Sequence, residues 1–127
     1  MKRYLLDTNG LLRFILNDIT SQSDQITALF DGAKDGKNEV TIPHIVFFEA
    51  TYVLSAYYAF SRLEIKTQWD ALLSITYLEI PDRVIVQKAC VLWTTHKGIS
   101  FADAILVLMA KENGMKLITF DKKLARL

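Results

Sequence analysis

Four acidic residues stand where a carboxylate is either costly or well placed for chemistry. Asp7 ends the apolar run Tyr4-Leu5-Leu6, and an acid at the carboxyl end of a first buried strand occupies the edge where α/β sheets bind and react. Glu49 interrupts Ile45-Val46-Phe47-Phe48 before Ala50-Thr51-Tyr52-Val53-Leu54 resumes. Asp103 follows Ser100-Phe101-Ala102, and Asp121 follows Leu117-Ile118-Thr119-Phe120. Each lies in or beside a segment hydrophobic enough to be core, where an unpaired carboxylate needs compensation.

Converging carboxylates repel and raise one another's pKa. A divalent cation removes that conflict: Mg2+ or Mn2+ takes carboxylate oxygens and keeps several waters. Such an ion activates water and stabilises charge on a phosphoryl oxygen. Helix capping is the competing account. Ser100 and Asp103 have capping-box spacing, and Asp7 and Asp121 can each cap a following helix. Glu49, between Phe48 and Ala50, is the acid that capping explains least.

Rival chemistries find fewer residues. The two histidines, His44 and His96, have no zinc-like spacing with cysteine or with each other, and read as surface or capping residues. No glycine-rich phosphate loop is present. No Ser/His/Asp arrangement stands out, and the single cysteine, Cys90, lacks a neighbouring histidine. It reads as a core residue, and one cysteine fits a reducing compartment.

The elements that must position the acids follow from periodicity and turn residues. Strands are expected at residues 4–6, 40–42, 77–80 and 116–119. Helices are expected at 10–16, from a cap at Thr20 or Ser21, from about His44 to Phe60, at 63–75, after a cap at Asp82, and at 102–113. Gly114 closes the last of these, and a short basic helix follows Asp121. The third helix carries Tyr52, Tyr57, Tyr58 and Phe60 around its circumference, implying burial on more than one side or a face for a partner. Strands alternating with helices argue for a parallel sheet flanked by helices, an α/β fold. All strand carboxyl ends then share one edge. Asp7 and Asp121 belong at that edge, Asp103 lies in the first turn of a helix starting there, and Glu49 reaches inward from two turns along its own.

At 127 residues, 51% hydrophobic and 23% charged, the chain reads as one domain, residues 1–127, with a substantial core. The net charge of +1, from 15 basic and 14 acidic residues, neither announces nor excludes a nucleic-acid partner, because a local basic rim can steer phosphates. Arg13, Lys97, Lys122 and Lys123 are candidates for such a rim, against ordinary solvated charge. Lys2 and Arg3 lead into too few apolar residues for a signal peptide, and the longest uncharged stretch, residues 50–61, is too short to span a bilayer. A soluble cytoplasmic protein is the expectation.

At these residues the chain resembles the PIN-domain family, and especially the toxin ribonucleases of bacterial and archaeal VapBC toxin–antitoxin modules. The resemblance lies in Leu6-Asp7-Thr8-Asn9, in Phe48-Glu49-Ala50-Thr51-Tyr52-Val53-Leu54, in Phe101-Ala102-Asp103-Ala104 with Ala110 and Gly114, and in Thr119-Phe120-Asp121. It implies a PIN-like α/β domain with a parallel sheet of about four to five strands. It also implies an endoribonuclease site dependent on Mg2+ or Mn2+, formed by Asp7, Glu49, Asp103 and Asp121, with Asn9 and Thr119 in support. A homodimer neutralised by a small antitoxin, with RNA as substrate, completes the implied picture. Two positions depart from the family: Gly10 stands where a larger apolar residue is common, which would loosen the entry to the first helix. With six residues after Asp121, the last strand is expected to be short or absent. A catalytically silent binding module is the rival reading. A metal-dependent phosphatase is a weaker one, because Asn9 replaces the second acid of an Asp-x-Asp.

Overall fold

Helices dominate the chain. The structure, a computed structural model describing residues 1–127, contains β1 (Lys2–Leu5), α1 (Thr8–Leu16), α2 (Thr20–Lys34), β2 (Asn38–Thr41), α3 (His44–Tyr58), α4 (Arg62–Leu73), α5 (Arg83–Thr95), α6 (Phe101–Glu112) and α7 (Lys122–Ala125). β1 and β2 pair in parallel, with Lys2 opposite Asn38 and Leu5 opposite Thr41. The mixed, parallel character expected from the strand–helix alternation is present, but the sheet has two strands and not four or five.

The two missing strands fail for different reasons. Residues 77–80 contribute a single parallel bridge, in which the Ile42 N–H donates to the Glu79 carbonyl and the Glu79 N–H to the Val40 carbonyl, each at 2.8 Å. The ladder goes no further on its carboxyl side because Pro81, the next residue to face β2, has no N–H to offer; the Arg83 guanidinium takes the carbonyls of Leu73 and Leu78, the latter on the side away from β2. Residues 116–119 form no ladder at all. Gly114, at φ +64°, closes α6 in a Schellman turn: its N–H donates to Lys111 and the Met115 N–H to Ala110. The chain then runs along α6, where Met115, Leu117 and Thr119 share a pocket with Val107 and Ala110. Leu117 packs against the core while Ile118 and Phe120 face solvent. The alternation of a strand survives without a paired edge, and alternation alone does not create one.

Twenty-nine buried residues form one hydrophobic cluster drawn from α1 to α7, from Val40 of β2 and from connecting residues such as Leu6 just after β1. At its centre the indole of Trp69 meets Phe47 edge-on, with ring centroids 5.2 Å apart, and donates its N–H to the Thr51 hydroxyl at 2.9 Å. α3 buries Val46, Phe47, Ala50, Thr51 and Leu54. Its other side is open: Tyr57 is 73% exposed and Tyr52 62% exposed, so burial on more than one side does not hold within a single chain.

Cys90 is fully buried, as its apolar helix suggested, and desolvation pushes its thiol up to about 12, with a smaller upward push from Asp70. Asp82, expected to cap α5, makes no side-chain cap bond and instead sits 3.4 Å from His44 Nδ1. No helix is long and apolar enough to cross a membrane.

Candidate active site

Leu6 is buried and anchors the end of β1, and Asp7 follows it at the surface. The Asp7 backbone is extended, and its Oδ1 accepts the Gly10 N–H at 2.8 Å as the N-cap of α1. Gly10 does not loosen this entry. A Cβ there would approach Leu6 Cδ1 to 2.6 Å and Asp7 Oδ1 to 3.3 Å, so glycine lets the strand end and the cap close on one another.

Asp103 is the third residue of α6 and completes a reciprocal capping box. Its backbone N–H donates to the Ser100 hydroxyl at 3.0 Å, and its Oδ2 accepts the Ser100 N–H at 3.1 Å. Asp121 caps α7, with Oδ1 accepting from Lys123 N–H at 2.9 Å and Leu124 N–H at 3.3 Å. Thr119 supports it directly: the threonine hydroxyl accepts the Asp121 N–H at 3.1 Å. Every one of these caps uses a single carboxylate oxygen, leaving Oδ2 of Asp7, Oδ1 of Asp103 and Oδ2 of Asp121 without a protein partner.

Glu49 behaves differently from expectation. It lies on the outward face of α3 and is exposed, with neither an ion pair nor a hydrogen bond. The desolvation cost that set it apart in the sequence does not arise, because the buried face of α3 carries Ala50 and the exposed face carries Phe48. Asn9 is likewise exposed in the first turn of α1.

The structure brings the supports of two acids together. Gly98 lies two residues before Ser100, and a Cβ at Gly98 would come 3.4 Å from Lys123 Nζ, so the loop entering α6 touches the helix that Asp121 caps. It does not gather the four carboxylates: no group of three or more His, Cys, Asp or Glu side chains is close enough to hold a metal ion. Donor type therefore suits a hard cation, whereas donor placement, as the side chains stand, does not.

Sequence reasoning missed Arg62. Its guanidinium donates to the carbonyls of Trp93 at 2.7 Å, Lys97 at 3.0 Å and His96 at 3.3 Å, and lies 4.8 Å over the Trp93 ring. It thereby fixes the loop that leads into α6. Nothing local to Arg62 signals this, because all its acceptors belong to a distant turn. Arg13, a phosphate-rim candidate, is occupied: its Nη1 lies 2.9 Å from both carboxylate oxygens of Asp18.

Comparison with curated proteins returns no match. Among family profiles, the PIN domain matches residues 4–127. That span begins inside β1, takes in all four acids and runs through α7. A match of that length shows membership: the chain belongs to the PIN-domain family.

Proposed function

We propose that the protein is a metal-dependent endoribonuclease that hydrolyses RNA phosphodiester bonds, and that it is the toxin of a VapBC-type module. The observation that carries this is the PIN-domain match over residues 4–127, a span that contains Asp7, Glu49, Asp103 and Asp121. The uncommitted oxygens of Asp7, Asp103 and Asp121 support it, because caps that use one oxygen leave the other for chemistry. We assign Asp7, Glu49, Asp103 and Asp121 as the catalytic and metal-holding acids, Mg2+ or Mn2+ as the ion, and Asn9 and Thr119 as positioning residues. Asp103 and Asp121 are the candidates to accept a proton from the attacking water, and Thr119 acts by holding the backbone of Asp121.

The test is cleavage of a structured RNA pool by the purified, antitoxin-free protein with Mn2+, Mg2+ or chelator, beside Asp103→Asn. Discrete fragments that require both metal and Asp103 are expected. The dispersed carboxylates favour one other reading, a PIN-fold binding module without turnover. Cleavage that ignores the substitution, or none from a folded wild type across varied RNA pools, would favour that reading.

The open side of α3 supports a homodimer. Two pockets beside α3 and α6 share Phe48 and Ala102 and so form one groove, apolar at the end lined by Ile45 and Leu106 and mixed at the other, where Tyr52 is joined by Thr51, Ser55, Arg62 and Ser100. Taking about 200 Å2 per large side chain, the exposed halves of Ile45, Phe48, Tyr52 and Leu106 amount to about 400 Å2. That is half of what each partner contributes to a standard interface, and a second copy related by a two-fold axis matches this face to itself. Sedimentation of wild type as a dimer and of Leu106→Asp as a folded monomer is expected; an unchanged dimer would place the interface elsewhere.

A further inference from the structure

Two of the basic residues singled out in the sequence meet in space. A cleft of about 590 Å3 opens between the loop joining α5 to α6 and the final helix, lined by His96, Lys97, Gly98, Ile99, Lys123, Arg126 and Leu127. No Asp or Glu side chain lines it. Neither lysine nor Arg126 takes part in an ion pair; the cations so engaged are Arg3, Arg13, Lys66 and Lys88. Like charges collected without a counter-charge are unfavourable unless an anion joins them.

The cleft is built rather than incidental. Arg62 holds the loop by three carbonyls, two of which, His96 and Lys97, belong to cleft-lining residues. Gly98 has no side chain, and a Cβ there would lie 3.4 Å from both Cδ and Nζ of Lys123. That is ordinary contact distance, so the Lys123 side chain packs along the loop backbone at Gly98 and lines the same cleft as Lys97. Placement matters as much as charge. The Lys123 N–H caps onto Asp121, and Gly98 precedes the Ser100–Asp103 capping box. The cleft thus flanks the elements that carry two of the four acids.

We propose that this cleft seats backbone phosphates of a polynucleotide strand beside the reacting bond, with Lys97, Lys123 and Arg126 as the contacts. The assignment of that strand as substrate rests on the nuclease reading above. Arg126 offers a planar fork that matches two phosphate oxygens, and the lysines act as mobile point charges. Leu127, half-buried beside the core residue Ile99, gives apolar wall against which a sugar can rest.

The probe is a fluorescently labelled, mixed-sequence, single-stranded 20-nucleotide RNA, with binding followed by anisotropy in chelator across a salt series. Each phosphate contact contributes about 0.7 to the slope of log K against log salt for a single strand. Replacing Lys97, Lys123 and Arg126 by Gln is expected to make the slope shallower by about 2 and to weaken binding about 100-fold at 0.1 M salt. Lys97→Gln alone is expected to change the slope by about 0.7, and serves if the triple variant does not fold. Lys2, Lys34 and Lys37, replaced by Gln, remove the same charge from exposed positions outside the cleft and should leave the slope near that of wild type. Equal slope changes from the two triples, an unchanged slope in the cleft triple, or no binding by wild type would each overturn the proposal. Adding Mn2+ separates the two readings. Cleft-dependent binding without cleavage leaves the cleft standing and defeats the nuclease; cleavage with an unaltered slope in the cleft variant does the reverse.

Discussion

Asp7 is the residue at which structural and chemical roles can be pulled apart most cleanly. Its Oδ1 accepts the Gly10 N–H at 2.8 Å, while Oδ2 has no protein partner. Asparagine caps a helix about as well as aspartate, so Asp7→Asn keeps the acceptor and removes only the charge. Loss of a charge from a helix N-terminus costs about 0.3–1 kcal/mol. Asp7→Ala loses the cap as well, adding about 1 kcal/mol. At roughly 4 °C per kcal/mol for a chain of this size, the melting temperature should fall by about 2 °C in Asp7→Asn and about 6 °C in Asp7→Ala.

Neither loss unfolds the protein at 25 °C. A domain with at least about 5 kcal/mol of stability that loses about 1.5 kcal/mol remains more than about 99% folded. A purely structural Asp7 therefore predicts nearly full activity in both variants. A catalytic Asp7 predicts that both lose cleavage by about 100-fold or more, the scale of a positioned acid–base group, although Asp7→Asn barely shifts in melting. The assay is initial-rate cleavage beside thermal unfolding of the same preparations. Asp7→Asn cleaving within threefold of wild type would refute the catalytic assignment and leave the cap as the whole explanation.

Thr51→Val should lower the urea midpoint by an amount equivalent to about 1–3 kcal/mol, because it keeps the shape at Thr51 but leaves the buried Trp69 N–H without its acceptor; an unchanged midpoint would mean that the indole finds another partner. Cys90 should not react with a thiol reagent at pH 8 in the native state, since its thiol is pushed up to about 12 by burial and stays protonated, and should react once urea unfolds the chain. Prompt native reaction would show that α5 opens locally. Glu64 is held below its usual carboxylate range by the backbone and hydroxyl of Ser61. A depressed folded-state pKa stabilises above the unfolded value and is lost as pH falls through the folded one, so wild type should lose stability on acidification below about pH 4.5 more steeply than Glu64→Gln. Parallel pH–melting curves would show that the Ser61 capping box carries no linkage.

What was legible in the sequence was local. A cap at Asp7, a capping box from Ser100 to Asp103, a helix stop at Gly114 and a core Cys90 each depend on neighbours a few residues away, and each is present. Strand number was not local. Residues 77–80 have strand composition, yet only Glu79 bridges to β2, and composition does not say how many residues will pair. Glu49 shows a different limit. Positions 45, 48, 49 and 52 form one helical face, and positions 46, 47, 50, 51 and 54 form the other. Each face carries one distinctly polar residue, Glu49 or Thr51, among apolar and aromatic ones, so periodicity could not tell which was core; burial chose the second. An acid that looked trapped in hydrophobic surroundings is instead solvated, at the margin of a surface suited to another chain. The cationic cleft marks the furthest reach of the same problem. Lys97 and Lys123 read as scattered surface charge until the fold lays the last helix against the loop at Gly98 and both line one cleft. Chain topology, rather than charge count, gathers these cations on one side of a nearly neutral chain.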